Sequence, residues 1–106
     1  MTMFDEREKA SENKWKHDQE LRFKIMARRN KLLGQWVAGK LGLTGTAAQD
    51  YAKAVVIADL DRPGDDDVVE KVMADIKAKG LPIEERKIRK KLIELVEDAR
   101  KQVMAE

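Results

Sequence analysis

The residues with the most chemical promise lie between Asp59 and Glu70. Asp59, Asp61, Gly64, Asp65, Asp67 and Glu70 fall at positions 1, 3, 6, 7, 9 and 12 of a calcium-binding loop, a spacing that lets carboxylates converge on a hard cation while a glycine makes the bend. The fifth position, however, is Pro63, which has no side-chain oxygen, and the eighth is the polar Asp66. A Pro-Gly turn followed by acidic capping of a helix accounts for the same residues without a metal. No metal is assigned, and a calcium-responsive helical module stands as an alternative function.

Three other clusters invite chemistry. Gly34 to Leu41 nearly spells a phosphate-binding loop, but Leu41 stands where a Ser or Thr hydroxyl would hold magnesium, and the preceding residues read as a charged helix rather than a strand. His17 is the sole histidine and has no recognisable nucleophile or second ligand near it in the sequence; with no cysteine in the chain, thiol catalysis and thiolate zinc sites are excluded. Arg86-Lys87-Ile88-Arg89-Lys90-Lys91 could meet a nucleic acid, yet Ile88 belongs to an apolar stripe that turns the charges outward, and Glu84, Glu85 and Glu94 offset them. A small nucleic-acid-associated bundle is a further alternative, although no nucleic acid is expected. The residues suggest no enzyme and no cofactor.

What positions these residues is a chain of 106 amino acids, 40% charged and 42% hydrophobic, with two prolines and six glycines. That composition belongs to a single all-α domain. No apolar run approaches the roughly 20 residues a spanning helix needs, and the charged opening does not read as a secretory signal. Leu21, Ile25, Leu32 and Trp36 form one helical stripe, with Met26, Leu33, Val37 and Leu41 beside it. This first helix is expected to stop near Gly42. A second begins at Thr46, with Thr46 and Gln49 as a capping box, and buries Ala48, Tyr51, Ala52, Val55 and Val56. Arg62-Pro63-Gly64 makes a turn, and a third helix follows the aspartates at 65–67, uses Val69, Val72, Met73 and Ile76, and ends at Gly80. Pro82 suits the first turn of a fourth helix, whose face is Ile88, Leu92, Leu95, Val96, Ala99 and Val103. The expected architecture is a four-helix bundle over residues 15–106 with a long first helix.

The first 14 residues differ. Between Asp5 and Lys14 the one apolar side chain is Ala10. Helix-forming residues with nothing to pack make a flexible or weakly helical arm. Charge is also segregated: residues 1–20 carry four bases and six acids, whereas residues 21–43 carry six bases (Arg22, Lys24, Arg28, Arg29, Lys31, Lys40) and no acid. A net charge of +2 thus conceals a basic stretch suited to an acidic partner.

Phe4-Asp5 with Arg7-Glu8, His17-Asp18 with Glu20, Phe23-Lys24, and the block Ala27-Arg28-Arg29-Asn30-Lys31-Leu32-Leu33-Gly34 with Trp36 together resemble the alphaproteobacterial ATPase inhibitor subunit zeta family. The resemblance continues through Tyr51-Ala52, Val55-Val56, Ala58-Asp59, and Gly64 with Asp66-Asp67-Val68. Trp15, where a smaller aromatic is expected, and the heavy basic run from Arg86 to Lys91 are departures.

The resemblance implies a four-helix inhibitor of ATP hydrolysis by the F-type ATP synthase, in which the N-terminal segment enters a catalytic α/β interface of the head. It would bind the α and β subunits, with γ a further candidate, and would be monomeric when free. Its place would be the cytoplasm, peripheral at the inner membrane through the synthase. Carried over to this chain, the inhibitory arm comprises Thr2, Phe4, Asp5, Arg7, Glu8, Lys9, Glu12 and Lys14. The basic stretch suggests a second docking surface at Arg22, Arg28, Arg29 and Lys31.

Overall fold

A computed structural model describes residues 2–59 and 64–106, with side chains from His17 onward. The described residues form four helices and no strand: α1 (Thr2–Lys40), α2 (Gly45–Ala58), α3 (Asp66–Lys79) and α4 (Glu85–Met104). The expected all-α bundle with a long first helix is what the chain forms. Helix α1 has 39 residues, about 58 Å at 1.5 Å per residue, and it dominates a molecule whose longest extent is 65 Å against 25 and 22 Å across. No proline or glycine interrupts α1 before Gly34, so its backbone continues unbroken from Thr2 into the bundle.

The core lies where the apolar stripes meet. Leu33 and Val37 of α1, Val55 of α2, Val68, Val69, Val72 and Ile76 of α3, and Ile88, Leu92 and Leu95 of α4 are buried in one cluster. Each such side chain contributes about 1.5–3 kcal/mol on leaving water. Trp36, Leu41, Tyr51 and Met73 close its edges half-buried. Helix α1 packs on all three others, most extensively on α2 and α4, while α2 and α4 do not touch each other among the described residues. Gly34 makes the α1–α2 approach possible, since a Cβ built there would lie 2.6 Å from the Ala52 Cα.

Two helices end as glycine dictates. At the end of α1 the Gly42 N–H bonds to the Gly39 carbonyl (3.2 Å) and the Leu43 N–H to the Ala38 carbonyl (2.9 Å). At the end of α3, Gly80 and Leu81 repeat the pattern onto Lys77 and Ile76. Both glycines take positive φ, 81° and 75°, where a side chain would be strained.

Two starts differ from expectation. Helix α2 begins at Gly45 with Thr44 at the cap position, and Thr44 makes no side-chain cap bond; Thr46 is already inside the helix, so the Thr46–Gln49 capping box does not form. The left-handed Gly45 (φ 57°) turns the chain a residue earlier than a threonine cap would have done. Helix α4 begins at Glu85, not at Pro82. Leu81 and Ile83 each pack against the core, and the extended Glu84 follows them as the cap residue from which the helix starts. Arg62 and Pro63, the first two residues of the expected turn before α3, lie outside the described residues.

Candidate functional site

The arm residues Thr2, Phe4, Asp5, Arg7, Glu8, Lys9, Glu12 and Lys14 all fall on the N-terminal half of α1, and their side chains lie outside those described. From His17 to Glu20 every side chain is exposed, and among the described side chains Leu21 is the first to be partly covered. The reason is where the other helices stop. Asn30 donates through Nδ2 to Asp59, just past the end of α2 (2.9 Å), and Arg29 reaches Asp65 at the start of α3 (2.7 Å). Arg28 donates to Gln102 (3.1 Å) and pairs with Glu106 at the end of α4. The last residues of α2 and α4 and the first of α3 therefore all lie beside Arg28–Asn30. Helix α1 runs on past them for about 26 residues, or some 40 Å.

The four bases proposed for docking divide. Arg22 and Lys31 are exposed, and Arg28 is occupied by the C-terminal end of α4. Arg29 is turned inward, 3% exposed, and its guanidinium donates to both Asn30 Oδ1 (3.2 and 3.0 Å) and Asp65 Oδ1. With Asn30 bonded to Asp59, a chain of four side chains ties both ends of the 59–65 connection to α1. A buried guanidinium is tolerated only with such partners, and removing one would leave its charge uncompensated. Sequence reading missed this inward pair because Arg29 and Asn30 sit between apolar stripes as polar residues ordinarily do on a solvated face. The signal was in the acidic connection, where carboxylates outnumber the bases.

The same network uses two of the carboxylates of the calcium-type loop. Burial pushes the Asp59 carboxyl above its ordinary 3.8; the Asn30 bond and Arg29 pull it back, while Asp65 and Asp67 push it further up. One Asp59 oxygen has no hydrogen-bond partner among the described residues. Asp61 lies outside the described residues, and no group of three potential metal ligands is present among those described. Segment Gly34–Lys40 is helical throughout, so its amides are bonded within α1 and offer no phosphate cradle. His17 is exposed. In the basic run, Arg89 pairs with Asp66 (3.0 Å) and Glu85 (3.4 Å), and Ile88 is fully buried. Lys40 and Lys91 stack their ammonium groups over the Trp36 ring, 5.4 Å from its centre.

The α2–α3 contact is fixed in a similar way. The Tyr51 hydroxyl donates to Asp75 Oδ2 (2.8 Å), Lys71 bridges the same carboxylate (2.9 Å), and burial with the neighbouring carboxylate pushes the Tyr51 phenol well above its ordinary range. Among the described residues, three ion pairs thus join different segments of the bundle, Arg28–Glu106, Arg29–Asp65 and Arg89–Asp66.

The fold and its exposed groups define a small helical protein that carries a long helix beyond its bundle and no recognisable catalytic constellation among the described residues. A family model for ATPase inhibitor subunit zeta matches residues 1–102. The chain belongs to that family, which places it among regulatory subunits of ATP synthase. A solution NMR structure is 42% identical, with a TM-score of 0.72, and the match covers 80% of this chain and 96% of that one. No curated protein matches the sequence. No helix among the described residues is long and apolar enough to cross a membrane.

Proposed function

We propose that the chain stops ATP hydrolysis by the F-type ATP synthase by inserting residues 1–14 at a catalytic α/β interface of the head, while residues 15–106 form the bundle that carries them. The observation that supports this reading most is the length of α1 beyond its partners: a charged helix whose sequence has no apolar face to pack at home. Such a segment gains order and burial by entering another protein. Phe4 is the large apolar anchor, and Asp5, Arg7, Glu8, Lys9, Glu12 and Lys14 make the charged contacts around it. The protein acts as a monomer in the cytoplasm and reaches the membrane only through the synthase. ATP hydrolysis by the isolated synthase head, with and without the full chain, tests the proposal. Hydrolysis should fall in a saturable manner as the chain is added, and an unchanged rate would refute it.

A further inference from the structure

Of the large apolar side chains that the described residues leave exposed, Phe23 (62%), Ile57 (60%) and Met104 (65%) stand at one end of the bundle, and only Ile93 (77%) stands elsewhere. That end is the one from which α1 leaves, because α2 and α4 both finish there. Two neighbouring hollows open on it. The first, about 350 Å³, is lined by Phe23, Lys24, Ala27, Lys31, Val56 and Val103 together with the Arg28–Glu106 pair. The second, about 440 Å³, runs up the α1–α2 junction past Gln35, Gln49, Ala52, Lys53 and Ile57. Lys31 and Val56 belong to both, so the hollows form one groove with an apolar floor.

The rim of this groove is cationic. Lys24, Lys31 and Lys53 are exposed, and the one carboxylate lining it, Glu106, is already paired with Arg28. An apolar floor with a one-signed rim fits an amphipathic segment that carries Asp and Glu beside its apolar residues. The chain's own acidic N-terminus is a poor occupant, since α1 runs straight away from the groove and has no glycine or proline before Gly34 at which to fold back. A partner is better placed. Phe23 lies nine residues beyond Lys14, about 14 Å along the same helix, so any surface that admits the arm has its own border at the groove.

We infer that this groove docks an acidic amphipathic segment of the ATP synthase head lying next to the site of arm insertion, so that the bundle adds a second contact to the arm. The inference rests on the proposed function but makes a separate demand on the data. Linking the two contacts through one helix makes the second binding event intramolecular, and the groove should therefore govern affinity while the arm governs inhibition.

The test uses the full chain and the purified head, measuring both affinity and residual hydrolysis at saturation. The double variant Lys31→Glu, Lys53→Glu should bind at least tenfold more weakly, lose part of its salt dependence, and still inhibit fully when saturating. Ile57→Asp should weaken binding similarly, whereas Ile93→Asp, outside the groove, should bind as the unchanged chain does. A photo-crosslinking residue at position 57 should capture an acidic stretch of the head. Unchanged affinity in both groove variants would overturn the inference, as would crosslinks confined to residues 1–20 or to a second copy of the chain. If the unchanged chain binds the head without inhibiting, the inhibitory reading fails while the groove remains measurable by affinity.

Discussion

The N-terminal half of α1 and the whole of α4 are both helices crowded with charge, yet one projects from the molecule and the other forms one wall of its core. The difference is where the few apolar residues fall. In α4, Ile88, Leu92, Leu95, Ala99 and Val103 recur at steps of three and four and are all buried, so the helix is held by its stripe and its charges face water. Between Asp5 and Lys14 there is Ala10 alone. Equal helix-forming composition therefore gives a structural element in one place and a reaching element in the other. Packing, not propensity, separates them.

The sharpest way to break this comparison is deletion. Removing residues 2–14 should abolish inhibition of the synthase head altogether while leaving the bundle's thermal unfolding unchanged, as read by circular dichroism and hydrolysis assays side by side. A truncated chain that inhibits normally would make the bundle, not the arm, the active part. Within the bundle, Leu92→Ala should cost about 2–4 kcal/mol in denaturant unfolding, while Lys90→Ala, two residues away on the exposed face, should stay within about 0.5 kcal/mol. Equal effects would mean that α4 is not held by its stripe.

Two glycines of α1 sharpen the point that contact decides. Gly34→Ala forces a methyl against the Ala52 backbone and should destabilise by on the order of 1–3 kcal/mol. Gly39→Ala meets nothing within 4 Å and should stabilise by about 0.5–1 kcal/mol. In the arm, Phe4→Ala should weaken inhibition about tenfold, equivalent to about 1.4 kcal/mol, with no change in unfolding. The smallest effect concerns Asp59. Because its folded-state pKa is raised, the folded protein holds that proton more tightly than the unfolded chain does. Its contribution is full below the ordinary value of 3.8 and is lost as pH rises through the raised one. Asp59→Asn should remove this fall from a stability-against-pH series and leave the rest of the curve in place.

The helices and their core faces were legible in the sequence because burial imposes a period. Gly42 and Gly80 were legible as stops because few other residues take positive φ. The starts of α2 and α4 were not. Thr46 and Pro82 have the right chemistry for their assigned places, but α2 starts at Gly45, and α4 only after the core-packed Leu81 and Ile83 and the extended Glu84. Val68 was missed as core because it sits beside three aspartates, yet it is fully buried in the cluster shared by all four helices. At the candidate site, the arm was legible as a segment without a face, and the basic stretch as a run without acids. That Arg29 turns inward while Lys31 stays outside depends on where Asp65 arrives in space, some 36 residues later in the chain.

One consequence follows from the arm and the bundle sharing a single helix. The bearing of any arm residue relative to the groove is a matter of counting. One residue added between Lys14 and Phe23 would swing the arm's contact face by about 100° while extending its reach by only about 1.5 Å. Seven added residues would return that face to within about 20° of its first bearing, at a reach about 10 Å longer. Reach and bearing are separable properties of this molecule, and the number of residues between arm and bundle sets them both.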